Sequence, residues 1–195
     1  MRRLLTSQAR RDPAVSRVAV VTLALAACWP WVGVRATDNP KVVIIRHGEK
    51  PKSGDNLSCQ GENRALRLPA VLHKKFGKPD YTYVPALKLG ESTNHARMFQ
   101  TVVPFAVKYD LTLNSKFAES DVAGVAKDVL THTGLVLVVW EHSQIPSLVA
   151  ALGVSQPPAW KKEDFDSIWV VSYAAGQAPM TIGAEGITPS PQCAF

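Results

Sequence analysis

The chain has 195 residues, 46% of them hydrophobic, enough for one ordinary globular domain with a real core. Its formal net charge of +6 comes from 22 basic and 16 acidic side chains. Six of the basic ones (Arg2, Arg3, Arg10, Arg11, Arg17 and Arg35) and one acid (Asp12) precede Thr37, which leaves 16 against 15 and gives no support to nucleic-acid binding.

The first 36 residues read as a leader. Five arginines precede an apolar run, Val18 to Cys28, that is too short to span a bilayer comfortably, so a secretory signal fits better than a membrane helix. Pro30 breaks the apolar helix. Val34-Arg35-Ala36 puts small residues where a signal peptidase reads, which predicts cleavage after Ala36 and a mature domain over 37–195. A rival reading takes Leu25 to Cys28, "LAAC", as a lipoprotein signal with Cys28 acylated; an uncleaved signal anchor is the third. A membrane partner is expected only under those two alternatives.

From Lys41 onward, short runs rich in β-branched residues alternate with helical patterns. That alternation predicts an α/β domain with a largely parallel sheet and no second domain. Val42 to Ile45 reads as the first strand. Ser58 to Phe76 reads as a helix with Ala65, Leu68, Leu72 and Phe76 along one face and Gly77 as its stop. Tyr81 to Val84 is a second strand, and Thr93 to Tyr109 a helix that Pro104 kinks or shortens. Asp121 to Leu130 is a third helix. Leu135 to His142, "LVLVVWEH", is apolar nearly throughout, as a central strand covered on both faces should be. Pro146 to Leu152 suggests a helix closed by Gly153, and Ile168 to Ser172 another strand. The Gly/Pro-rich tail from Gly176 reads as loops and edge structure.

Cys28 falls in the leader, so Cys59 and Cys193 remain. In an oxidising compartment they can pair and tie the tail to the first helix; two unpaired thiols are the alternative. Neither has a Cys or His neighbour at ligand spacing, so no metal site is expected from them.

His47 and His142 each follow an apolar strand, at the edge where open α/β sheets hold ligands. Arg46 stands beside the first, and Arg97 near the start of the second long helix. Two guanidinium groups and two imidazoles suit a tetrahedral dianion, because arginine offers fixed multidentate donors and histidine can donate or attack. Attack needs one ring nitrogen free and the other held. Gly48 lets the backbone turn sharply and approach an anion. These residue types predict phosphoryl transfer through a phosphohistidine, stabilised by Arg46, Arg97 and His142.

"RHGEKP" after a hydrophobic strand resembles the signature of the histidine phosphatase superfamily, the phosphoglycerate mutase-like fold. Three further segments match in order: "LSCQGENRA" from Leu57, "STNHARMFQT" from Ser92, and "VVWEHS" with the second histidine. The likeness covers about Lys41 to Tyr173. It implies a three-layer α/β/α sandwich of the small branch, independent of cofactor and metal. His47 would be the nucleophile, with Arg46, Arg97 and His142 binding the phosphoryl group.

The chain departs from the family at the proton donor. Larger members carry His-Asp at the second histidine, whereas here Ser143 follows His142 and a carboxylate, Glu141, precedes it. Glu141 and Glu49 are therefore the candidates for proton donor or orienting group, with Glu49 alternatively pairing with Lys50 or Lys52. Glu119 and Asp121 lie where mutase-like members take their acid, without a clear motif match. His73, His95 and His132 read as surface or helix histidines, His95 close enough to Arg97 for a place on the pocket rim. Trp160 and Trp169 read as packing residues.

The expected function is an exported phosphatase, periplasmic or secreted, acting on a small phosphorylated molecule or a phosphoprotein. The alternatives are a phosphomutase and a non-catalytic envelope protein that binds phosphate-bearing ligands.

Overall fold

The computed structural model describes residues 39–88, 90, 95–173 and 177–195. The leader with Cys28 and the Ala36 cleavage site, and Ser92 to Asn94 of the second arginine motif, lie outside the described residues. The elements run β1 (Lys41–Arg46), α1 (Cys59–Phe76), β2 (Tyr81–Tyr83), α2 (Ala96–Tyr109), β3 (Leu113–Asn114), α3 (Val122–Val129), β4 (Leu135–Trp140), α4 (Ile145–Ala151), β5 (Ser167–Val171) and β6 (Met180–Ala184). They build one six-stranded sheet in the order β3-β2-β4-β1-β5-β6. The first four of these strands are mutually parallel; β5 runs antiparallel to β1, and β6 antiparallel to β5.

The three layers follow from the two-residue period of the strands. In β1, Val42 and Ile44 face one core together with Val125 and Val129 of α3 and Leu148 and Val149 of α4. Val43 and Ile45 face the other with Leu68 and Leu72 of α1 and Met98, Val102 and Phe105 of α2. The adjacent β4 divides the same way, with Val136, Val138 and Trp140 on the first side and Leu137 and Val139 on the second. Both central strands are covered on both faces, which is why their sequences read as unbroken apolar runs. Trp160 and Trp169 stack at 4.8 Å between ring centroids beside the first core. Among the described residues no helix is long and apolar enough to cross a membrane.

Several expected boundaries move. β4 stops at Trp140, and Glu141 and His142 belong to the turn into α4, where the Glu141 carbonyl accepts from the backbone N–H groups of Gln144 and Ile145. α2 is continuous through Pro104 to Tyr109. β3 escapes a reading based on apolar runs because it is two residues long, while the edge structure expected in the tail is β6, a largely exposed strand at the sheet's edge. Cys59 and Cys193 are joined as a disulfide with Cα atoms 4.8 Å apart. The tail is also held on α1 by Asn63, whose amide donates to the carbonyls of Ser190 and Gln192.

Candidate active site

β1 and β4 are direct neighbours, and their register pairs Arg46 with Trp140. The two residues that follow Trp140 therefore emerge beside His47 at the carboxyl edge of the sheet, where parallel strands leave a crevice. The rings of His47 and His142 lie edge to face with centroids 6.3 Å apart.

His47 is fully buried. Its Nδ1 donates to the Gly48 carbonyl at 2.6 Å, which fixes the tautomer and leaves Nε2 with its lone pair. Nε2 is buried, makes no well-formed hydrogen bond, and faces the Oε2 of Glu141 at 3.0 Å. An orphaned buried acceptor is costly in a core and useful in a site that waits for an electrophile.

Arg46 is buried beneath the two histidines. Its Nη1 donates to the carbonyls of Lys162 at 2.7 Å and Asp164 at 3.1 Å, and its Nη2 lies 3.2 Å from Nδ1 of His142. The guanidinium also sits 3.8 Å from the centroid of the Phe165 ring. Burial lowers its pKa to about 10, with Glu141 and Asp164 opposing, so the group stays cationic at neutral pH. Trp160 donates its indole N–H to the same Asp164 carbonyl and so braces the loop that grips Arg46.

Glu141 bridges the two imidazoles. One carboxylate oxygen faces His47, and the other contacts Nδ1 of His142. Burial acts to raise its pKa, but His47, His142 and Arg46 outweigh that and hold it down at about 2. His142 is lowered by burial and by Arg46, against the pull of Glu141. Its Nδ1 donates to Glu141 when protonated and accepts from Arg46 when not, so the ring's partner changes with its tautomer.

The flanking motifs hold this turn in place. Ser58 caps α1, accepting from the Gly61 N–H and donating to the Glu49 carbonyl. Thr101 of α2 accepts from the Gly48 N–H at 2.9 Å and donates to the Arg97 carbonyl at 2.7 Å. Gly48 does not adopt a left-handed φ, so the sharp turn expected of it is not why glycine stands there. A Cβ on Gly48 would lie 2.9 Å from the Gly61 carbonyl oxygen, and it is this close approach of α1 that requires glycine.

The remaining candidates separate clearly. Arg97 is half-buried in the first turn of α2, and its guanidinium donates to the Gly54 carbonyl at 3.1 Å. Glu49 pairs with neither Lys50 nor Lys52: Arg64 holds its carboxylate with two nitrogens at 2.7–3.1 Å, so both its oxygens serve the anchoring of α1. His95 faces Glu119 at 3.3 Å, His73 stacks on Tyr109, and His132 stacks on Tyr81. Asp121 caps α3. Sequence reasoning missed Phe165 and the carbonyls of Lys162 and Asp164, which carry no side-chain signal, and Arg64, which stood in a matched motif without an assigned role.

His47, Glu141 and His142 offer ligand atoms within 4.8 Å of one another and are, among the described residues, the group whose donors could hold a metal ion. The adjoining Arg46 guanidinium opposes a cation there, and the trio is not read as a metal centre. What the arrangement suits is an anion. A tetrahedral group brought to Nε2 meets a buried guanidinium and a second imidazole on its flank.

No protein-family profile matches the chain, and no curated protein matches it. Solved structures do. The protein histidine phosphatase SixA, solved with tungstate, is similar at a TM-score of 0.55 and 18% identity, over 74% of this chain and 97% of that one. A mycobacterial glucosyl-3-phosphoglycerate phosphatase, solved with inorganic phosphate, gives 0.52 and 14%, over 76% and 99%. A phosphoserine phosphatase from Entamoeba histolytica, solved with phosphoserine, gives 0.52 and 11%, over 75% and 98%. The chain therefore has the phosphoglycerate mutase-like fold of the histidine phosphatases, as its motifs led one to expect.

Proposed function

We propose that the protein is a phosphatase that hydrolyses a phosphomonoester or a phosphorylated protein side chain through a phosphohistidine on His47. The observation that carries this reading is the state of the His47 ring: Nδ1 is tied to the Gly48 carbonyl, and Nε2 is buried without a well-formed hydrogen bond, between the Glu141 carboxylate and a buried arginine. That is the condition an imidazole needs to attack phosphorus. Arg46 and His142 receive the phosphoryl oxygens, and Arg97 of α2 joins them once it leaves the Gly54 carbonyl. Water then hydrolyses the phosphohistidine. The leader, with its basic start and apolar run, supports export, and with it a periplasmic or secreted location. The shared fold adds that similar chains solved with phosphate-like or phosphorylated ligands are phosphatases.

Incubation of the purified chain with p-nitrophenyl phosphate tests the reading. Turnover, an acid-labile and base-stable phosphoenzyme after a rapid quench, and loss of both in a folded His47→Ala variant are the expected results. Ligand binding without turnover overturns the enzyme and leaves a phosphate-binding module. Mass spectrometry of the exported protein's first residue decides between cleavage after Ala36 and acylation at Cys28.

A further inference from the structure

We propose that Glu141 is the proton carrier of this site, taking up a proton when a phosphoryl group arrives among His47, His142 and Arg46 and passing it to the leaving oxygen. The proposal rests on the phosphohistidine reading above and names the acid that reading lacks.

Among the described residues, two of the other carboxylates that act on Arg46, Glu49 and Asp164, are already engaged, and Glu163 acts on it only through space. Arg64 holds both oxygens of Glu49. Asp164 accepts from the backbone N–H groups of Asp166 and Ser167 and from the Ser167 hydroxyl. Glu119, whose carbonyl accepts from the indole of Trp140, pairs with His95. Among the carboxylates of the described residues, Glu141 is the one in contact with the reacting atom, 3.0 Å from Nε2.

The contacts that keep Glu141 ionised are the ones a phosphoryl dianion takes over. His47 after β1, His142 on the turn after β4, and Arg46 at the end of β1 all face the carboxylate in the free protein. Glu49, Glu163 and Asp164 act on the same guanidinium from their own loops. When the dianion binds, Arg46 and His142 turn to its oxygens, and a second negative charge stands against Glu141, whose side chain is largely buried. Lost donors and like charge both favour protonation. The carboxyl so loaded stands beside the entering nitrogen, 3.0 Å from Nε2, and reaches the leaving oxygen by turning about its own side chain.

The steps balance. In the first, the Nε2–P bond forms, the bond from phosphorus to the ester oxygen breaks, and the Glu141 proton moves to that oxygen. In the second, a water oxygen bonds to phosphorus, the P–Nε2 bond breaks, and the water's proton goes to the Glu141 carboxylate. Departure of phosphate returns the carboxylate to His47 and His142 and the proton to solvent.

Calorimetric titration of the full chain with sulfate, in buffers of different ionisation enthalpy near neutral pH, counts the protons taken up. Sulfate stays a dianion there, so the uptake belongs to the protein. Glu141→Gln is expected to take up about one proton fewer than the native chain, and its sulfate affinity to depend less on pH; equal uptake overturns the proposal. Kinetics give a second readout. Glu141→Gln is expected to lose on the order of 100-fold in kcat on an alkyl phosphate and far less on p-nitrophenyl phosphate, whose leaving group departs without an acid. Equal losses on both substrates overturn it. Glu141→Ala carries the same expectations should the amide variant melt early. If the native chain turns over no phosphomonoester, the phosphatase reading fails, and the sulfate titration still decides the proton uptake.

Discussion

Gly48 and Gly61 lie backbone against backbone, so close that neither position has room for a Cβ. A Cβ on Gly61 would fall 2.2 Å from the Glu49 carbonyl oxygen, and one on Gly48 would meet the Gly61 carbonyl at 2.9 Å. This contact docks the first turn of α1 on the turn that presents His47. Both neighbours are main chain, which cannot move aside as a side-chain tip would.

Gly61→Ala is therefore expected to push α1 away from the turn and to cost about 1–3 kcal/mol, as overpacking of a tight contact does. Urea melts measure the loss. Because the same contact aims the nucleophile, kcat on p-nitrophenyl phosphate should fall by more than tenfold at temperatures where the variant is still folded.

Arg46 holds its guanidinium with Nη1 on two carbonyls, of Lys162 and Asp164, and presents Nη2 to His142. A lysine ammonium has no fork that can grip the loop and face the crevice together. Arg46→Lys keeps the charge and loses that geometry, so kcat/KM is expected to fall about 100- to 1,000-fold. Inorganic phosphate should also cease to raise the melting temperature, a shift readable by scanning calorimetry.

The features legible in the sequence are those written in local pattern. β1 and β4 stood out because parallel strands covered on both faces are apolar at consecutive positions, and α1 because its capping serine, apolar stripe and closing glycine fall in register. Arg46, His47 and His142 stood out as polar residues at the ends of those runs. Their meeting in one crevice needed the pairing of β1 with β4, which no local pattern encodes. Glu49 shows the reverse case. The cations expected for it are Lys50 and Lys52, yet its partner is Arg64, on the helix that follows. The grip on Arg46 was hidden because it comes from carbonyl groups, which every residue has.

The Cys59–Cys193 disulfide closes a long loop, at a sequence separation of 134, and pins the tail to the first residue of α1. Opening it frees the tail contacts of Asn63 and the Arg67 bond to the Thr188 carbonyl. Cys193→Ser is expected to lower stability by about 2–5 kcal/mol in denaturant melts. A reductant should lower the native chain by a similar amount and leave the variant unmoved.

Arg64 gathers three carboxylates. Its Nη1 lies 2.5 Å from Oε2 of Glu185 and 3.5 Å from Oδ1 of Asp166, while its other nitrogens hold Glu49. Glu185 is buried, and burial, aided by Asp166 and Glu49 and opposed by Arg64, pushes its carboxyl up to about 7. A carboxyl raised in the folded state binds its proton more tightly there than in the unfolded chain. Its contribution to stability is therefore full below the ordinary glutamate range and is lost as pH rises toward about 7. The size of that loss is on the order of 3 kcal/mol. Glu185→Gln keeps an acceptor for Arg64 and removes the titration. Its stability should decline less than that of the native chain between about pH 4 and pH 7.5, as followed by chemical denaturation at fixed ionic strength. Parallel curves for the two proteins would mean that Glu185 stays ionised on the Arg64 guanidinium throughout.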